Sequence, residues 1–457
     1  MRNQSRRSAT VARNAFISSS GQDEQGDETP SGVHCMLILN PRAGRQAYPE
    51  ALAALLNLEW ARQARQWLSH WSGMAAEPTP LYELPDTAER VGVARVCIKD
   101  ESVRSPLGSF KALGAPIALV RQILRWHPDF EPTAILSGRY SKPLASHTVI
   151  SATDGNHGRA LAAAARDAGC RCVIVLHAQV SIEREQAIAA FGARIVRIAG
   201  NYDQSVEEAA RLAQVNGWQV ISDTSYPGYE EIPRDVMQGY AVIALESIEQ
   251  TGMAANPEAG FTHVFLQGGV GGFAAGVASG LWEALAAARP VFIVVEPAQA
   301  DCLLQSALQG RATKAAGSVD SVMAGLACGE ASPLAWRLLE PCVDAFMTVD
   351  DDQAVQAMRD LAQGSRRDIP VLGGESGVAG LAALKELLAS PDLARALDLG
   401  PSSRVLLINT EGATAPSVYA QLVGEQADAV LDRQRAWRAQ RAVAPECIAA
   451  FKRCSRY

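Results

Sequence analysis

The chain has 457 residues, of which 48% are hydrophobic and 20% charged, so it carries enough apolar material for a large core and is not disordered overall. Its formal net charge of -7 is spread along the sequence without a basic stripe, which argues against a nucleic-acid surface and favours a small-molecule partner. The nine cysteines are scattered, without CxxC pairs or neighbouring histidines. We therefore predict reduced thiols, a cytoplasmic location and no metal site.

Two segments could be read as a targeting sequence or a membrane span. Residues 1–35 begin with several arginines and continue with serine, glycine and acidic residues, which bury little apolar surface, so we predict a disordered tail. The uncharged stretch 264–282 is interrupted by glycines, by Gln267 and by Ser279. A strand, a glycine loop and a buried helix explain it better than a membrane span, and we predict no membrane partner.

The first candidate functional residue is a lysine near the start of the ordered chain. We expect order from about Leu37, a helix over 48–68, and a strand over 93–98 that leads into 102–114, SVRSPLGSFKALG. Lys111 follows a Gly-Ser turn and opens an alanine- and leucine-rich helix. A lysine amine attacks aldehydes when its surroundings lower its pKa, and these surroundings favour such a role. The alternative is a lysine that only extends from a helix end.

From residue 148 onward, predicted strands and helices alternate with short loops. The predicted strands are 148–153, 172–176, 194–198, 219–222, 263–267, 291–296 and 405–409, and the predicted helices end at 168 or cover 181–191, 205–216, 233–249, 274–288 and 378–388. A helix-rich part is expected around 323–330. This alternation is typical of parallel sheets with helices on both faces, so the predicted fold class is α/β.

Polar residues follow two of these strands. Asp154, Asn156 and His157 come after the strand at 148–153, and Asp223 follows the strand at 219–222. Open α/β sheets bind ligands beyond the carboxyl ends of their strands, so the two aspartates are candidates for a general base and a partner of a substrate ammonium group. Helix capping is the alternative for both. For His157 a structural hydrogen bond is favoured over catalysis.

A glycine loop lies between a strand and an uncharged helix. Its residues are Gly268, Gly269, Val270, Gly271 and Gly272. Backbone N–H groups of such a loop converge on an anion at the positive end of the helix, although close packing of helix on sheet is the alternative. The loop lacks the Lys-Ser/Thr of a P-loop and the acidic strand end of a dinucleotide site. A monophosphate therefore fits better than a pyrophosphate.

A reactive lysine, a phosphate loop and polar strand ends are together what pyridoxal phosphate needs. At these residues the chain resembles the diaminopropionate ammonia-lyases, fold type II pyridoxal-phosphate enzymes related to serine and threonine dehydratases, threonine synthase and tryptophan synthase β. The resembling segments are GSFKALG (108–114), ATDGNHGRALA (152–162), DTSYPGYEEIPRDVMQGY (223–240), QGGVGG (267–272), VVEP (294–297), MAGLACGE (323–330), GGESGVAGL (373–381) and TEGATAP (410–416). They cover the chain from about residue 40 to 424.

The resemblance implies a role for each candidate. Lys111 would bind the cofactor aldehyde, Asn156 would lie beside the phenolic oxygen, residues 268–272 would hold the phosphate, Thr410 would face the ring nitrogen, and Phe110 would complete the cofactor site. Asp154 and Asp223 would handle the substrate's α-proton and ammonium groups. Glu330 and Ser376 receive no role beyond lining. The implied reaction is α,β-elimination of 2,3-diaminopropionate to pyruvate and ammonia by a homodimer.

Two departures from the family pattern concern substrate specificity. The family reads TEGDTDP where this chain has Ala413 and Ala415, so two carboxylates close to the cofactor are missing. The segment before the lysine usually reads RRFGLGSFK, whereas here it contains Pro106 and lacks the aromatic residue. A serine/threonine dehydratase-like lyase and a pyridoxal-phosphate-binding protein without turnover are the alternative functions.

The predicted architecture has two open, twisted, mostly parallel sheets flanked by helices, as in fold type II. We predict a small inserted α/β domain at 120–224 within a large cofactor-binding domain formed by 36–119 and 225–425. A peripheral tail is predicted at 426–457. The active site, with an amino-acid substrate, is expected in the cleft between the two domains.

Overall fold

The computed structural model describes residues 16–18, 35–75, 77–153 and 155–454, with side chains described for 35–75, 77–153 and 155–441. Asp154 and most of the predicted tail at 1–35 therefore lie outside the described residues. Within those ranges, no helix combines the length and the apolar composition that crossing a bilayer requires.

The described strands belong to two sheets. They are β1 (Phe16–Ser18), β2 (Met36–Leu39), β3 (Leu81–Glu83), β4 (Arg95–Asp100), β5 (Thr148–Ala152), β6 (Arg171–Leu176), β7 (Arg194–Arg197), β8 (Gln219–Val220), β9 (His263–Gln267), β10 (Val291–Pro297), β11 (Ala345–Val349) and β12 (Arg404–Asn409). The larger sheet has the order β1-β2-β11-β10-β9-β12-β4-β3, and the smaller has the order β7-β6-β5-β8.

Helices cover these sheets. They are α1 (Glu50–Ala53), α2 (Leu58–Leu68), α3 (Pro85–Val91), α4 (Ala115–Trp126), α5 (Pro132–Ile135), α6 (Ser141–Leu144), α7 (Asn156–Ala168), α8 (Ile182–Ala189), α9 (Tyr202–Asn216), α10 (Glu231–Thr251), α11 (Gly272–Leu285), α12 (Cys302–Gln309), α13 (Pro333–Leu339), α14 (Asp351–Gln363), α15 (Ala379–Ala389), α16 (Pro391–Ala396), α17 (Pro416–Val423) and α18 (Ala427–Cys454).

The pairing of the strands is mostly parallel. In the larger sheet β11, β10, β9, β12 and β4 run parallel, whereas the pairs β1–β2 and β2–β11 toward one edge and β3–β4 at the other edge are antiparallel. All pairs of the smaller sheet are parallel. The central strands are continuous apolar runs because helices cover both of their faces. The predicted α/β fold class is confirmed. The smaller sheet lies within the predicted insert at 120–224, and the domain boundaries themselves stay a prediction.

Several predicted elements differ from the observed ones. The predicted helix at 48–68 is two helices, because Asn57 caps α2 by accepting a hydrogen bond from the backbone N–H of Trp60 at 2.9 Å. Lys111 lies in a short 3-10 helix, Phe110–Leu113, and α4 begins only after Gly114. The part around 323–330 contains no more than a 3-10 turn at Ala324–Leu326.

The register of the larger sheet places the lysine segment. β12 pairs with β4 over its whole length, and the chain continues past β12 into Thr410 and Glu411. The backbone N–H of Phe110 donates to the carbonyl of Thr410 at 3.0 Å, and Ser109 forms an antiparallel bridge with Glu411. The backbone that carries Lys111 therefore runs beside the carboxyl end of β12, where open sheets bind ligands.

Candidate active site

A cleft opens at this edge of the larger sheet, with about 920 Å³ of space not filled by protein atoms when the adjoining open solvent is included. The predicted site residues that line it are Phe110, Lys111, Asn156, Asp223, Gly268, Gly269, Val270, Gly272 and Thr410. Among the predicted site residues that the structure describes, Gly271 alone does not line the cleft. Residues spread over 300 positions of sequence thus meet in one place.

Lys111 is paired with Asp223 inside the cleft. Its Nζ lies 2.6 Å from Oδ2 of Asp223, with 19% and 13% of the two side chains exposed. Burial disfavours the ammonium, but the Asp223 carboxylate more than offsets this and raises the pKa of Lys111. The expectation that the surroundings lower this pKa is wrong, because apolar neighbours do not outweigh an adjacent carboxylate. Lys111 is held protonated until another group takes its place beside Asp223.

Asp223 stays ionised in the same pair. Burial would raise its pKa, but Lys111 outweighs burial and the pKa of the carboxyl lies well below its usual range. His157 Nδ1 lies 3.7 Å from the same carboxylate, while its Nε2 bonds the carbonyl of Ile221 at 2.9 Å. Burial lowers the pKa of His157. The imidazole is therefore neutral and anchored to the backbone.

Aromatic rings form one wall around the amine. The ring centroid of Phe110 lies 4.7 Å from that of Tyr240 and 4.7 Å from that of Phe273. Lys111 Nζ lies 5.3 Å from the Phe110 centroid and 5.8 Å from the Tyr240 centroid. Such faces attract the ammonium and limit its motion. Tyr240 was not predicted as a site residue, although it ends the quoted segment at 223–240.

The glycine loop presents unused backbone donors. The N–H groups of Gly269, Val270 and Gly272 donate to no acceptor among the residues that the structure describes. Gly269 has φ +64°, a conformation that favours glycine, and turns the loop toward the cleft. Free amides at the N-terminus of the long helix α11 are an anion site. With the Lys111 amine in the same cleft, the donor set fits an aldehyde that carries a phosphate.

Gly271 serves packing. A Cβ at this position would lie 2.9 Å from Leu339 Cδ1, 3.1 Å from Ala335 Cβ and 3.2 Å from Leu303 Cδ2. Its N–H is already used, donating to the carbonyl of Gly268 at 3.3 Å. The close-packing explanation of the glycine loop therefore holds at this position, while the neighbouring glycines face the cleft.

Two charged residues that were absent from the predicted site, Arg184 and Glu411, also line the cleft, and Glu375 lies next to them. Glu411 accepts hydrogen bonds from Asn156 Nδ2 and from the backbone N–H of Ser376, the latter at 3.2 Å. Arg184 Nη2 lies 2.7 Å from Oε1 of Glu375. Burial, followed by the Glu411 carboxylate, raises the pKa of Glu375 to about 7. Glu411 directly follows Thr410 in the quoted segment 410–416, which was the available indication.

The positions that depart from the family pattern lie outside the cleft lining. Thr414 lines the cleft, but its neighbours Ala413 and Ala415 do not. Ala415 is 1% exposed and is the N-cap residue of α17, without a side-chain hydrogen bond. Glu330 is exposed, with an oxygen 3.8 Å from Lys314 Nζ, whereas Ser376 lines the cleft. The two alanines therefore alter a helix start and leave the cleft's own acids in place.

The fold and the site define a pyridoxal-phosphate-dependent enzyme. A family model described as "Pyridoxal-phosphate dependent enzyme" matches residues 74–411, and the chain belongs to this family. Within it, the chain belongs with the diaminopropionate ammonia-lyases. The enzyme of that name from Escherichia coli K12 is 37% identical over 383 residues, which are 82% of this chain and 94% of the relative.

Structure comparison agrees. The crystal structure of Escherichia coli diaminopropionate ammonia lyase in complex with an aminoacrylate-PLP azomethine reaction intermediate has a TM-score of 0.76 and 34% identity, covering 85% of this chain and 96% of that chain. The Salmonella typhimurium enzyme named L-threonine dehydratase is more distant, at 27% identity over 78% of this chain and 61% of the relative. The recognised family and the fold type II class are thereby confirmed, and pyridoxal phosphate is the cofactor.

Proposed function

We propose that the protein is an ammonia-lyase that eliminates the β-amino group of 2,3-diaminopropionate. The observation that carries this proposal is the cleft itself, where a lysine, a glycine loop with free backbone N–H groups and the carboxylates of Asp223 and Glu411 converge, in a chain 37% identical to enzymes of that name. Overall, diaminopropionate and water would give pyruvate and two molecules of ammonia.

Each residue would have one task. When bound, the cofactor supplies an aldehyde for the substrate's α-amino group and a ring that accepts the electron pair left at Cα. Lys111 would hold the aldehyde and, once released from it, take the proton from Cα on its own face. Asp223, whose Oδ2 lies 2.6 Å from the Lys111 amine, would bind the substrate's α-ammonium group on entry and the Lys111 ammonium after proton removal. The β-ammonium group would leave as neutral ammonia without needing a further proton, and Lys111 would then pass the Cα proton to the released ammonia.

The other cofactor contacts would position the ring. Within residues 268–272, the free backbone N–H groups of Gly269, Val270 and Gly272 would bind the phosphate. Asn156 would turn its amide from Glu411 toward the phenolic oxygen. Thr410 would place a neutral hydroxyl near the ring nitrogen, and Phe110 would pack beside it. A hydroxyl leaves that nitrogen mostly unprotonated, which suits β-elimination over chemistry that needs a long-lived carbanion.

Asp154 lies outside the described residues and precedes Gly155 in the sequence. We propose that it serves as the base on the face opposite Lys111. We also propose that the enzyme is a homodimer, which the family resemblance supports. A cytoplasmic location is supported by the cysteines that the structure describes between 35 and 342, none of which is joined in a disulfide.

The test is ammonia release across a panel of β-substituted amino acids. Diaminopropionate should be the preferred substrate, with serine and threonine turned over much more slowly. A protein that acts on serine or threonine and leaves diaminopropionate unchanged would instead be a dehydratase, for which the 27% identical threonine dehydratase is the precedent. Cofactor binding without ammonia release from any member of the panel would identify a binding protein.

A further inference from the structure

One carboxylate in the cleft has no cationic partner. Lys111 is paired with Asp223, and Arg184 with Glu375. Glu411 is only 4% exposed, yet no lysine, arginine or histidine nitrogen of the described residues lies within 4.0 Å of it. Its hydrogen bonds come from neutral donors, an amide side chain and a backbone N–H. Buried carboxylates are normally paired with a cation. Because Glu411 has no such partner among the described residues, it can bind a cationic group of a ligand.

Its position relative to Lys111 is fixed by the backbone. Ser109 and Glu411 form an antiparallel bridge, and the N–H of Gly412 donates to the carbonyl of Gly108 at 2.9 Å. On the other side, the N–H of Gly374 donates to the carbonyl of Glu411 at 2.8 Å. Glu411 is therefore held between two loops and lines the same cleft as the reactive amine.

We propose that Glu411 binds the β-ammonium group of the substrate and sets the preference for a diamino acid over a hydroxy amino acid. The inference rests on the proposed function and names the residue that reads the leaving group. A β-ammonium placed at Glu411 donates a charge-assisted hydrogen bond, whereas the hydroxyl of serine brings no charge. Serine would leave the buried carboxylate without its cation.

The neighbouring acid supports this assignment. Glu375 is 1% exposed, its Oε2 accepts no hydrogen bond among the described residues, and Glu411 contributes to raising its pKa to about 7. Two buried carboxylates that repel each other are both stabilised when a cation arrives. Ala413 and Ala415 do not line the cleft, so the missing family aspartates leave this contact untouched.

The test measures binding, so that it does not depend on turnover. Two stable ligands, α-N-phosphopyridoxyl-2,3-diaminopropionate and N-phosphopyridoxyl-serine, are titrated by calorimetry at neutral pH into the full-length protein freed of cofactor. Wild type should bind the diamino ligand about 10- to 100-fold more tightly, the range expected for one charge-assisted contact. Glu411→Gln keeps the shape, removes the charge, and should bring the two dissociation constants within about threefold of each other.

Two further variants complete the experiment. Glu330→Gln makes the same exchange at an exposed position outside the cleft and should keep the wild-type preference. Glu411→Asp keeps the charge and should keep the preference for the diamino ligand. This variant still tests the proposal if Glu411→Gln does not fold. Loss of the preference in Glu411→Asp would then overturn the proposal.

The outcomes separate this inference from the proposed function. Equal binding of both ligands by wild type, or an equal loss for both in Glu411→Gln, would overturn the role of Glu411. In parallel, kcat/KM for diaminopropionate should fall about 10- to 100-fold in Glu411→Gln, with little change for serine. A wild type that shows the binding preference but releases no ammonia from diaminopropionate would overturn the proposed function alone.

Discussion

Glu183 accepts hydrogen bonds from both the backbone N–H and the hydroxyl of Ser417, at 3.3 and 2.5 Å. Glu183 belongs to α8, beside the smaller sheet, and Ser417 lies in the first turn of α17, after the larger sheet. The N-cap residue of α17, Ala415, offers no side-chain acceptor. An acid from another helix therefore does the capping that an aspartate at 415 would do in the family pattern.

The contact between Glu183 and Ser417 predicts that removing Glu183 lowers the stability of the protein, and that an aspartate at position 415 compensates for the loss. Glu183→Ala should lower the free energy of unfolding by about 1 kcal/mol, because an N-terminal donor of α17 loses its acceptor. Ala415→Asp in the Glu183→Ala background should recover most of that loss. Chemical denaturation of both proteins measures it, with Glu207→Ala on the exposed face of α9 as the control. If the recovery is accompanied by a change in the ratio of kcat/KM for diaminopropionate and serine, residue 415 contributes to specificity after all.

Lys111 should be the residue that carries the cofactor. The purified protein should be yellow, and borohydride should fix the cofactor to the peptide that contains Lys111, because it is the amine that lines the cleft. Lys111→Ala should lose the covalent label and the turnover, while Lys142→Ala should be labelled like wild type. Peptide mass spectrometry after reduction gives the answer. Label that persists at another lysine in Lys111→Ala would refute the assignment.

The glycine loop should respond differently at two positions. Gly269→Leu should raise the cofactor dissociation constant by orders of magnitude, because its side chain would enter a cleft of free amides, and the left-handed backbone adds about 1–3 kcal/mol of strain. Gly271→Leu should instead unfold the protein at lower temperature, since even a Cβ there comes within 2.9 Å of Leu339. Thermal melts and cofactor titration distinguish the two effects. Unchanged cofactor affinity in a folded Gly269→Leu protein would leave the loop with packing alone.

Asp154 should act on one enantiomer more than on the other. A base on one side of the cofactor plane cannot reach a proton on the opposite side. On that opposite side, Lys111 would be the base. Asp154→Asn changes the basicity and little else, and its kcat/KM should fall strongly for one of D- and L-diaminopropionate and weakly for the other. Steady-state kinetics with both enantiomers is the measurement. Equal losses would favour the helix-capping alternative.

Glu296 should make stability depend on pH. Burial raises its pKa to about 8, while the backbone N–H groups of Leu303 and Leu304 donate to it at 2.8 Å each. The folded protein then binds a proton that the unfolded chain releases near pH 4.5, so this residue's contribution falls as pH rises from about 4.5 to 8. Compared with Glu296→Gln, wild type should lose a few kcal/mol over that interval. Parallel pH dependences of the two proteins, measured by denaturation, would contradict the shift.

Local sequence patterns predicted the strand and helix alternation because buried parallel strands such as β9 are short apolar runs bounded by glycine and polar residues. They did not predict β11, Ala345–Val349, which is equally apolar but lies in a region without a recognisable glycine loop after it. They also extended a helix through Asn57, where a side chain competes for the backbone and starts a new helix. Apolar periodicity alone does not carry that information.

The site residues also fall into those that the sequence predicted and those that it did not. Those carried by a motif, such as Lys111 and Asn156, were named from the sequence and lie in the cleft. Arg184 and Glu375 were not named, because their meaning depends on two distant segments meeting across the cleft. The pKa of Lys111 was predicted in the wrong direction for a related reason, since its partner Asp223 is 112 residues away in sequence. Charge pairing is a property of the fold, and one sequence does not reveal it.

The backbone bridge between Ser109 and Glu411 gives the enzyme a degree of evolutionary freedom. The depth of Lys111 in the cleft is set by main-chain hydrogen bonds, which do not depend on the side chain carried at 411. With the proposed role of Glu411, a substitution at position 411 can therefore change which leaving group is bound. The reactive amine of Lys111 keeps its place. In this fold, substrate preference can thus change in evolution without a change in the position of the reactive lysine.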